Sequence, residues 1–231
     1  QNSEITVSYI EEAIMGKNIL QAALFDLDGV VFDTEPQYTV FWRSQCRRYH
    51  PEHPGLEQEI KGQTLDQILD AGWSGTLEKE RTGLIERLND FERQMRLDYV
   101  AGFVPFIEDL RRHGMRTAVV TSSNRQKMEV VYAKHPEFTL LFDDILTSED
   151  FAESKPSPDC YLKAAERFGS SPSACVVFED SFNGLKAGRA AGMAVVGLAT
   201  TNPRDAIAPL SDIQITDYKG MSYERLLSLI R

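Results

Sequence analysis

Two aspartates, two residues apart, follow a short apolar run near the start of the chain. The run is QAALF at residues 21–25, and the segment DLDGVVFDTE continues it at residues 26–35. In extended backbone Asp26 and Asp28 point to the same side, because side chains alternate along a strand. Gly29 then allows a sharp turn and a close approach to a ligand. Carboxylates at the carboxyl end of a buried parallel strand lie where open α/β sheets bind ligands. The alternative is an acidic turn in solvent.

A second acidic pair, Glu179 and Asp180, ends another apolar run in the segment VVFEDSFNG. Adjacent acids at the end of a buried strand repel each other unless a cation compensates their charge. Carboxylate oxygens are the hard ligands that Mg²⁺ prefers. The pair therefore predicts a magnesium site.

Two further segments carry groups that can hold a phosphate. The run VVTSSN places Thr121 and Ser122 at the tip of a predicted strand, just before a helix start, where hydroxyls and free backbone N–H groups can bind an anion. The segment ESKPSPDCY places Lys155 before a proline, which keeps the lysine backbone extended. Taken alone, VVTSSN could simply cap a helix, and Lys155 could be an ordinary surface lysine. The four segments together, in this order, favour a catalytic site.

Short runs rich in branched residues, separated by helical patterns, predict the elements that position these groups. Predicted strands lie at residues 21–25, 116–121, 142–147, 174–179, 193–198 and 212–216. Predicted helices lie between most of them, at residues 105–113, 124–134, 158–168 and 183–191. Strands that alternate with helices predict an α/β fold, in which a Rossmann-like, doubly wound parallel sheet is covered on both faces.

One stretch breaks this alternation. Residues 34–100 contain no convincing strand, and helical patterns cover 38–49, 64–71 and 77–98. We predict an all-α cap domain at 34–100, inserted into a core domain formed by residues 1–33 and 101–231. Its hinges would lie near 34–35 and 99–102.

The four segments resemble the signature motifs of the haloacid dehalogenase superfamily of phosphotransferases. The match runs from about Leu20 to Leu198 and consists of DLDGV, VTSS, SKPSPDCY and FEDSFNG. A helical insert directly after the first motif is similar to the small C1-type cap of the subgroup that contains β-phosphoglucomutase and many sugar-phosphate phosphatases. The resemblance thus implies phosphoryl transfer by a magnesium enzyme.

The resemblance also implies a role for each motif residue. Asp26 would attack phosphorus and form an aspartyl-phosphate, while Asp28 would protonate the leaving oxygen and later activate water. Thr121 or Ser122, together with Lys155, would bind the phosphoryl oxygens. Mg²⁺ would be held by the Asp26 carboxylate, the Asp28 backbone carbonyl and Asp180, and Glu179 would support it through its water shell. Dehalogenases of the superfamily lack an acid two residues after the nucleophile, so Asp28 favours phosphoryl transfer.

The cap segment IKGQTLDQIL, residues 60–69, is similar to the cap loop of β-phosphoglucomutase, but two positions differ. Leu65 stands where the mutase has an arginine that suits a second phosphate, and Tyr38 stands where it has a histidine. These differences favour a hydrolase over a mutase. Lys61 and Gln63 are predicted to contact substrate; a polar loop tip is the alternative.

Composition limits the possible partners. The 231 residues carry a formal net charge of −10, which argues against broad contact with nucleic acid or an anionic membrane but allows a small anionic substrate. The three cysteines are sparse and far apart, which fits a reducing compartment. The first 18 residues contain acids and no apolar block, so they resemble a short amphipathic helix rather than a signal peptide. We expect a cytoplasmic monomer or weak homo-oligomer.

Three hypotheses follow. The first is a Mg²⁺-dependent phosphatase that acts on a small phosphorylated metabolite, such as a sugar phosphate. The second is a hexose-phosphate mutase of the same fold. The third is a binding protein without catalytic activity on this scaffold, which no sequence feature favours, because every motif position carries the expected residue.

Overall fold

A computed structural model describes residues 20–230 of the chain. The amphipathic helix predicted for the first 18 residues lies outside this range. Within it, no helix combines the length and the apolar composition that a crossing of the bilayer requires.

Six parallel strands form one sheet in the order β3-β2-β1-β4-β5-β6. Their bounds are β1 Ala22–Phe25, β2 Arg116–Val120, β3 Asp144–Leu146, β4 Cys175–Glu179, β5 Ala194–Leu198 and β6 Ile213–Ile215. All six lie inside the predicted runs. The chain moves from β1 through β2 to β3 and then returns to the other side of β1, so the order reverses between β1 and β4. In open α/β sheets this switch point creates a crevice at the carboxyl ends of the strands.

Side chains alternate between the two faces of the sheet along the central strands, and each face packs into its own hydrophobic core. Phe25 and Phe178 stack at 4.5 Å between ring centroids on one face, while Leu24 and Val177 point to the other. Every residue of β1 and β4 is buried, as expected for parallel strands covered on both sides. The predicted α/β, Rossmann-like class is confirmed.

Four α-helices occupy the segment between β1 and residue 95. They are α1 Glu35–Tyr49, α2 Leu56–Glu59, α3 Leu65–Gly72 and α4 Arg81–Gln94. Their apolar sides form a core of their own, which includes Trp42, Trp73, Leu84 and Leu88. Thr64 begins α3 through a capping box with Gln67.

The remaining α-helices flank the sheet. They are α5 Phe103–Arg112, α6 Arg125–Lys134, α7 Phe138–Leu141, α8 Asp159–Phe168, α9 Phe182–Ala190, α10 Arg204–Ile207 and α11 Tyr223–Leu229. Helices α5 and α6 contribute to one face, and α8 and α9 to the other. Side chains of Asn124 and Ser181 cap the starts of α6 and α9.

The single helix predicted for residues 77–98 is wrong. A 3₁₀ helix at Gly75–Glu80 precedes α4, and Met95 leaves the helix with extended backbone. The chain after α4 runs beside the segment that leaves β1: Asp33 donates its backbone N–H to the Asp98 carbonyl at 2.8 Å, and Val100 donates to Val31 at 2.9 Å. Hydrogen bonds to this neighbouring segment replace the helical ones. Helix α2 was not predicted, because its four residues are too few to establish a periodicity.

Candidate active site

The crevice at the switch point brings three carboxylates together. Asp26 follows β1, Glu179 ends β4 and Asp180 follows it, and β1 pairs directly with β4. One oxygen of each carboxylate lies within 4.8 Å of the others. The sequence placed these residues at two strand ends, and the register of the parallel pair makes them neighbours.

Lys155 lies beneath this group and is almost completely buried. Its Nζ donates to Asp26 Oδ1 at 2.7 Å, to Glu179 Oε1 at 2.6 Å and to the Val120 carbonyl at 3.0 Å. Burial by itself lowers the pKa of Lys155, but Asp26 and Glu179 outweigh it and hold that pKa above its ordinary value. The lysine therefore stays charged and orients the Asp26 carboxylate.

One lysine does not neutralise the cluster. Burial, the charge of Glu179 and that of Asp28 raise the pKa of Asp26 to about 7, although Lys155 opposes the shift. Burial, together with Glu35 and Glu179, raises the pKa of Asp180 well above its usual range. Carboxylates that resist ionisation in this way would be stabilised by a divalent cation, and an all-oxygen donor set fits Mg²⁺.

The two acids from β4 differ in how far their oxygens are already engaged. Glu179 accepts from Lys155 and from the Tyr161 hydroxyl at 2.8 Å on Oε1, and from Ser181 Oγ at 3.2 Å on Oε2. Asp180 accepts a side-chain hydrogen bond from Thr201. Asp180 is thus better placed to bind a cation directly. Glu179 is better placed to support the cation indirectly, through the water molecules around it. Sequence reasoning missed both partners: Tyr161 ends the motif SKPSPDCY but was not selected, and Thr201 lies outside all four motifs.

Asp28 is held by three side chains. Thr34 Oγ1 donates to its Oδ1 at 2.6 Å, Ser123 Oγ donates to its Oδ2 at 3.2 Å, and Lys127 forms an ion pair with Oδ2. Lys127 lies in the first turn of α6 with 3% of its side chain exposed. Sequence analysis did not select it, although Asn124 marked the helix start and a lysine in that first turn lies beside the ends of β1 and β2.

Thr121 and Ser122 follow β2 and border the same cavity as Asp26. Thr121 is buried, and its hydroxyl accepts from the Ser123 backbone N–H at 3.0 Å. Ser122 donates to the Gly62 carbonyl of the cap at 3.2 Å. Both predicted phosphate ligands are therefore at the site, and Ser122 also joins the two parts of the chain.

The cap loop reaches the same cavity. Lys61 Nζ lies 3.1 Å from Glu35 Oε2 and donates to Thr39 Oγ1 at 2.9 Å, while Gln63 donates to the Glu59 carbonyl at 3.3 Å. Asn183 of the core donates to the Lys61 carbonyl at 3.2 Å. Lys61 and Gln63 thus border the cavity, but their side chains are engaged by groups within residues 35–59, and their contact with substrate stays a prediction.

A cavity of about 120 Å³ lies between the helical segment at residues 35–94 and the carboxyl ends of the central strands. The predicted residues that line it are Asp26, Asp28, Lys61, Gln63, Thr121, Ser122 and Asp180. Lys155 and Glu179 lie behind Asp26. Helices α1 and α4 close the opposite wall with Tyr38, Trp42, Leu88 and Glu92. Such a partly enclosed space, bordered by charged and hydroxyl side chains, has room for a small anion.

Comparison with known proteins agrees with this geometry. The family model of the haloacid dehalogenase-like hydrolases matches residues 20–192. The chain is 29% identical to the fructose-1-phosphate phosphatase YqaB of Escherichia coli, over 75% of this chain and 93% of that protein. It is 28% identical to the bifunctional riboflavin kinase/FMN phosphatase of Arabidopsis thaliana, over 86% of this chain and only 56% of that longer protein.

A putative β-phosphoglucomutase from Bacteroides vulgatus has a similar fold, with a TM-score of 0.75 and 21% identity over 97% of this chain and 96% of that one. The family model covers most of the chain and includes all four motifs. The chain belongs to the haloacid dehalogenase-like hydrolase family.

Proposed function

We propose that the protein is a Mg²⁺-dependent phosphatase that hydrolyses a small phosphorylated metabolite, most simply a sugar phosphate, with Asp26 as the nucleophile. The observation that carries the proposal is the pairing of an anchored carboxylate with an oriented acid. Lys155 fixes Asp26 at 2.7 Å, and Thr34, Ser123 and Lys127 fix Asp28 at the same cavity.

In the first step an Asp26 carboxylate oxygen bonds to phosphorus, and the bond from phosphorus to the ester oxygen breaks. Asp28 gives its proton to that oxygen, which leaves as an alcohol. Lys155, Thr121 and Ser122 bind the phosphoryl oxygens and stabilise the charge that they carry in the transition state.

In the second step water attacks the phosphorus of the aspartyl-phosphate. Asp28 takes a proton from this water, the acyl phosphate bond breaks, and Asp26 is regenerated together with inorganic phosphate. Mg²⁺, held by Asp26, Asp180 and the Asp28 carbonyl, would supply positive charge that offsets repulsion between the carboxylate and the phosphate.

We infer that residues 34–100 act as a mobile cap on a core that, in the described part of the chain, comprises residues 20–33 and 101–230. The docked loop, with Ser122 bound to Gly62 and Asn183 bound to Lys61, represents a closed state. Opening at the two adjacent connections would admit substrate, and closure would exclude water other than the attacking molecule.

The mutase is the competing function, and Leu65 argues against it. Leu65 lines the cavity where an arginine could bind a second phosphate, and leucine cannot do so. Product analysis decides between the two. With Mg²⁺ we expect free phosphate from acetyl phosphate and from a hexose 6-phosphate. Conversion of β-hexose 1-phosphate to hexose 6-phosphate that depends on a bisphosphate would instead support the mutase, and no turnover of any ester would reject both.

A further inference from the structure

Glu92 occupies the wall of the cavity that faces Asp28. It lies on α4 with only 8% of its surface exposed, and it accepts a hydrogen bond from the Tyr38 hydroxyl at 2.7 Å. Both Glu92 and Tyr38 line the cavity. Because Asp28 serves the leaving oxygen in the proposed function, this wall contacts the part of the substrate that departs.

The cations near the cavity are already engaged by carboxylates. Lys61 lies 3.1 Å from Glu35, and Lys127 forms its ion pair with Asp28. Six carboxylates line the cavity, against these two lysines. Within residues 20–230, each of the two lysines that line the cavity has an acidic partner. A second anionic group on the substrate would therefore have to compete with a carboxylate for either lysine.

Glu92 itself forms no salt bridge within the described part of the chain, and Tyr38 is its one side-chain hydrogen-bond partner there. Burial raises the pKa of Glu92, and Lys127 opposes the shift. An anion placed against this carboxylate would meet its negative charge, and Lys127, the cation whose charge reaches Glu92, is already paired with Asp28, so burial of the anion is costly. A hydroxyl group, in contrast, can donate a hydrogen bond to it.

The rest of this wall is apolar. Trp42, Ile60, Leu65, Ile68 and Leu88 line it. A wall of this kind accepts carbon-bound hydrogens, so it suits a molecule that combines hydroxyl groups with apolar ring or chain faces. A sugar or polyol has both.

Resting on the proposed function, we propose that Glu92 determines the substrate class: it selects monophosphates of neutral, hydroxylated leaving groups and rejects substrates that carry a second phosphate. Glu92 contacts the leaving group and takes no part in the proton transfers. Tyr38 positions it through the 2.7 Å hydrogen bond.

The test compares kcat/KM for hexose 6-phosphate and hexose 1,6-bisphosphate, with acetyl phosphate as a measure of phosphoryl transfer itself. We expect the wild type to prefer the monophosphate by about tenfold or more, since a buried hydrogen bond to a charged group has an effect of that order. Glu92→Gln keeps the shape and removes the charge. It should lower the preference by about tenfold, chiefly by reducing KM for the bisphosphate.

Glu86→Gln is the matched control, because Glu86 is exposed on the same helix and the substitution makes the same change of charge. It should leave the preference unchanged. Equal use of both hexose phosphates by the wild type would overturn the proposal. So would a Glu92→Gln variant that melts like the wild type and keeps its preference.

The proposed function can fail separately. If acetyl phosphate with Mg²⁺ gives no phosphate, the catalytic proposal is wrong. In that case the selectivity is tested by calorimetry, which measures the dissociation constants of the two hexose phosphates for the wild type and for Glu92→Gln. A tenfold weaker binding of the bisphosphate, relieved by the substitution, supports the inference, and equal constants reject it.

Discussion

Lys127 and Asp28 form a largely buried ion pair between residues that are 99 positions apart in the chain. The lysine also lies over the Tyr38 ring, with Nζ 4.6 Å from its centroid. Asp28 comes from the turn after β1, Lys127 from α6 and Tyr38 from the cap. The acid that would serve the leaving oxygen is therefore oriented from both the core and the cap.

Removal of this cation should impair catalysis more than folding. We expect Lys127→Met to lower kcat about ten- to a hundredfold, because Asp28 loses the partner that orients it. Lys186→Met, an exposed lysine on α9, is the control and should retain full rate. Steady-state kinetics and thermal melting of both variants test this. Wild-type kcat in a folded Lys127→Met protein would remove the lysine from the catalytic arrangement.

Substitution of the nucleophile should separate chemistry from structure. Asp26→Asn should lower turnover by at least about a thousandfold, because an amide cannot form the acyl phosphate. The fold should persist, since Lys155 keeps its bonds to Glu179 and to the Val120 carbonyl. Asp33→Asn, at an exposed aspartate just downstream, should have wild-type activity. Phosphate release and circular dichroism give the two readouts; appreciable turnover by Asp26→Asn would exclude it as the nucleophile.

Magnesium should stabilise the folded chain, because it relieves repulsion among the three clustered carboxylates. At a hundred times its dissociation constant a ligand adds about 2.7 kcal/mol, which corresponds to several degrees in Tm for a chain of this size. Asp180→Asn should lose most of this increase. Asp205→Asn, in an exposed helix turn, should keep it. Melting curves with Mg²⁺ and with a chelator measure the effect, and equal shifts for both variants would contradict the assignment.

Gly184 leaves the space that Glu179 occupies. A Cβ at this position would lie 1.8 Å from Glu179 Oε1, so alanine must displace the carboxylate. We expect Gly184→Ala to lose Mg²⁺-dependent activity and to destabilise the protein by about 1–3 kcal/mol.

Gly83→Ala is its control. Gly83 also lies inside a helix, but its Cβ would contact the end of the flexible Arg87 side chain at 3.2 Å. Since alanine is the better helix former by about 1 kcal/mol, Gly83→Ala should be neutral or stabilising. Chemical denaturation compares the two, and similar behaviour would mean that the contact with Glu179 has no consequence.

Gly62 lies close to Ser181 and accepts a hydrogen bond from Ser122. It has φ +76°, and a Cβ there would lie 2.5 Å from Ser181 Oγ. Gly62→Ala should therefore hinder closure and lower kcat/KM about tenfold. Gly55→Ala shares the positive φ, at +95°, but has open space around the added carbon. It controls for backbone strain, and an equal loss in both variants would show that closure is not the cause.

Much of the core could be predicted because its signals are local. Apolar runs bounded by Gly, Pro and capping residues located β1 to β6. Among the acids and hydroxyls selected near the strand ends, those that line the cavity are Asp26, Asp28, Thr121, Ser122 and Asp180. The predictions failed where local pattern and tertiary contacts conflict. Residues 95–98 continue a helical pattern, yet Met95 leaves α4 with extended backbone and the Asp98 carbonyl accepts from the Asp33 backbone N–H.

The sequence by itself determined the fold class and singled out Asp26, Lys155 and Asp180, because the residues that end a strand or start a helix can be recognised from their immediate neighbours. Only the tertiary structure decided that Lys127 pairs with Asp28, that the Tyr161 hydroxyl donates to Glu179, and that Glu92 lines the same cavity as Asp28. Those relationships join segments that are distant in the sequence. A hydrophobic pattern indicates which side of a helix or strand is buried, but not which residues of another segment that side contacts.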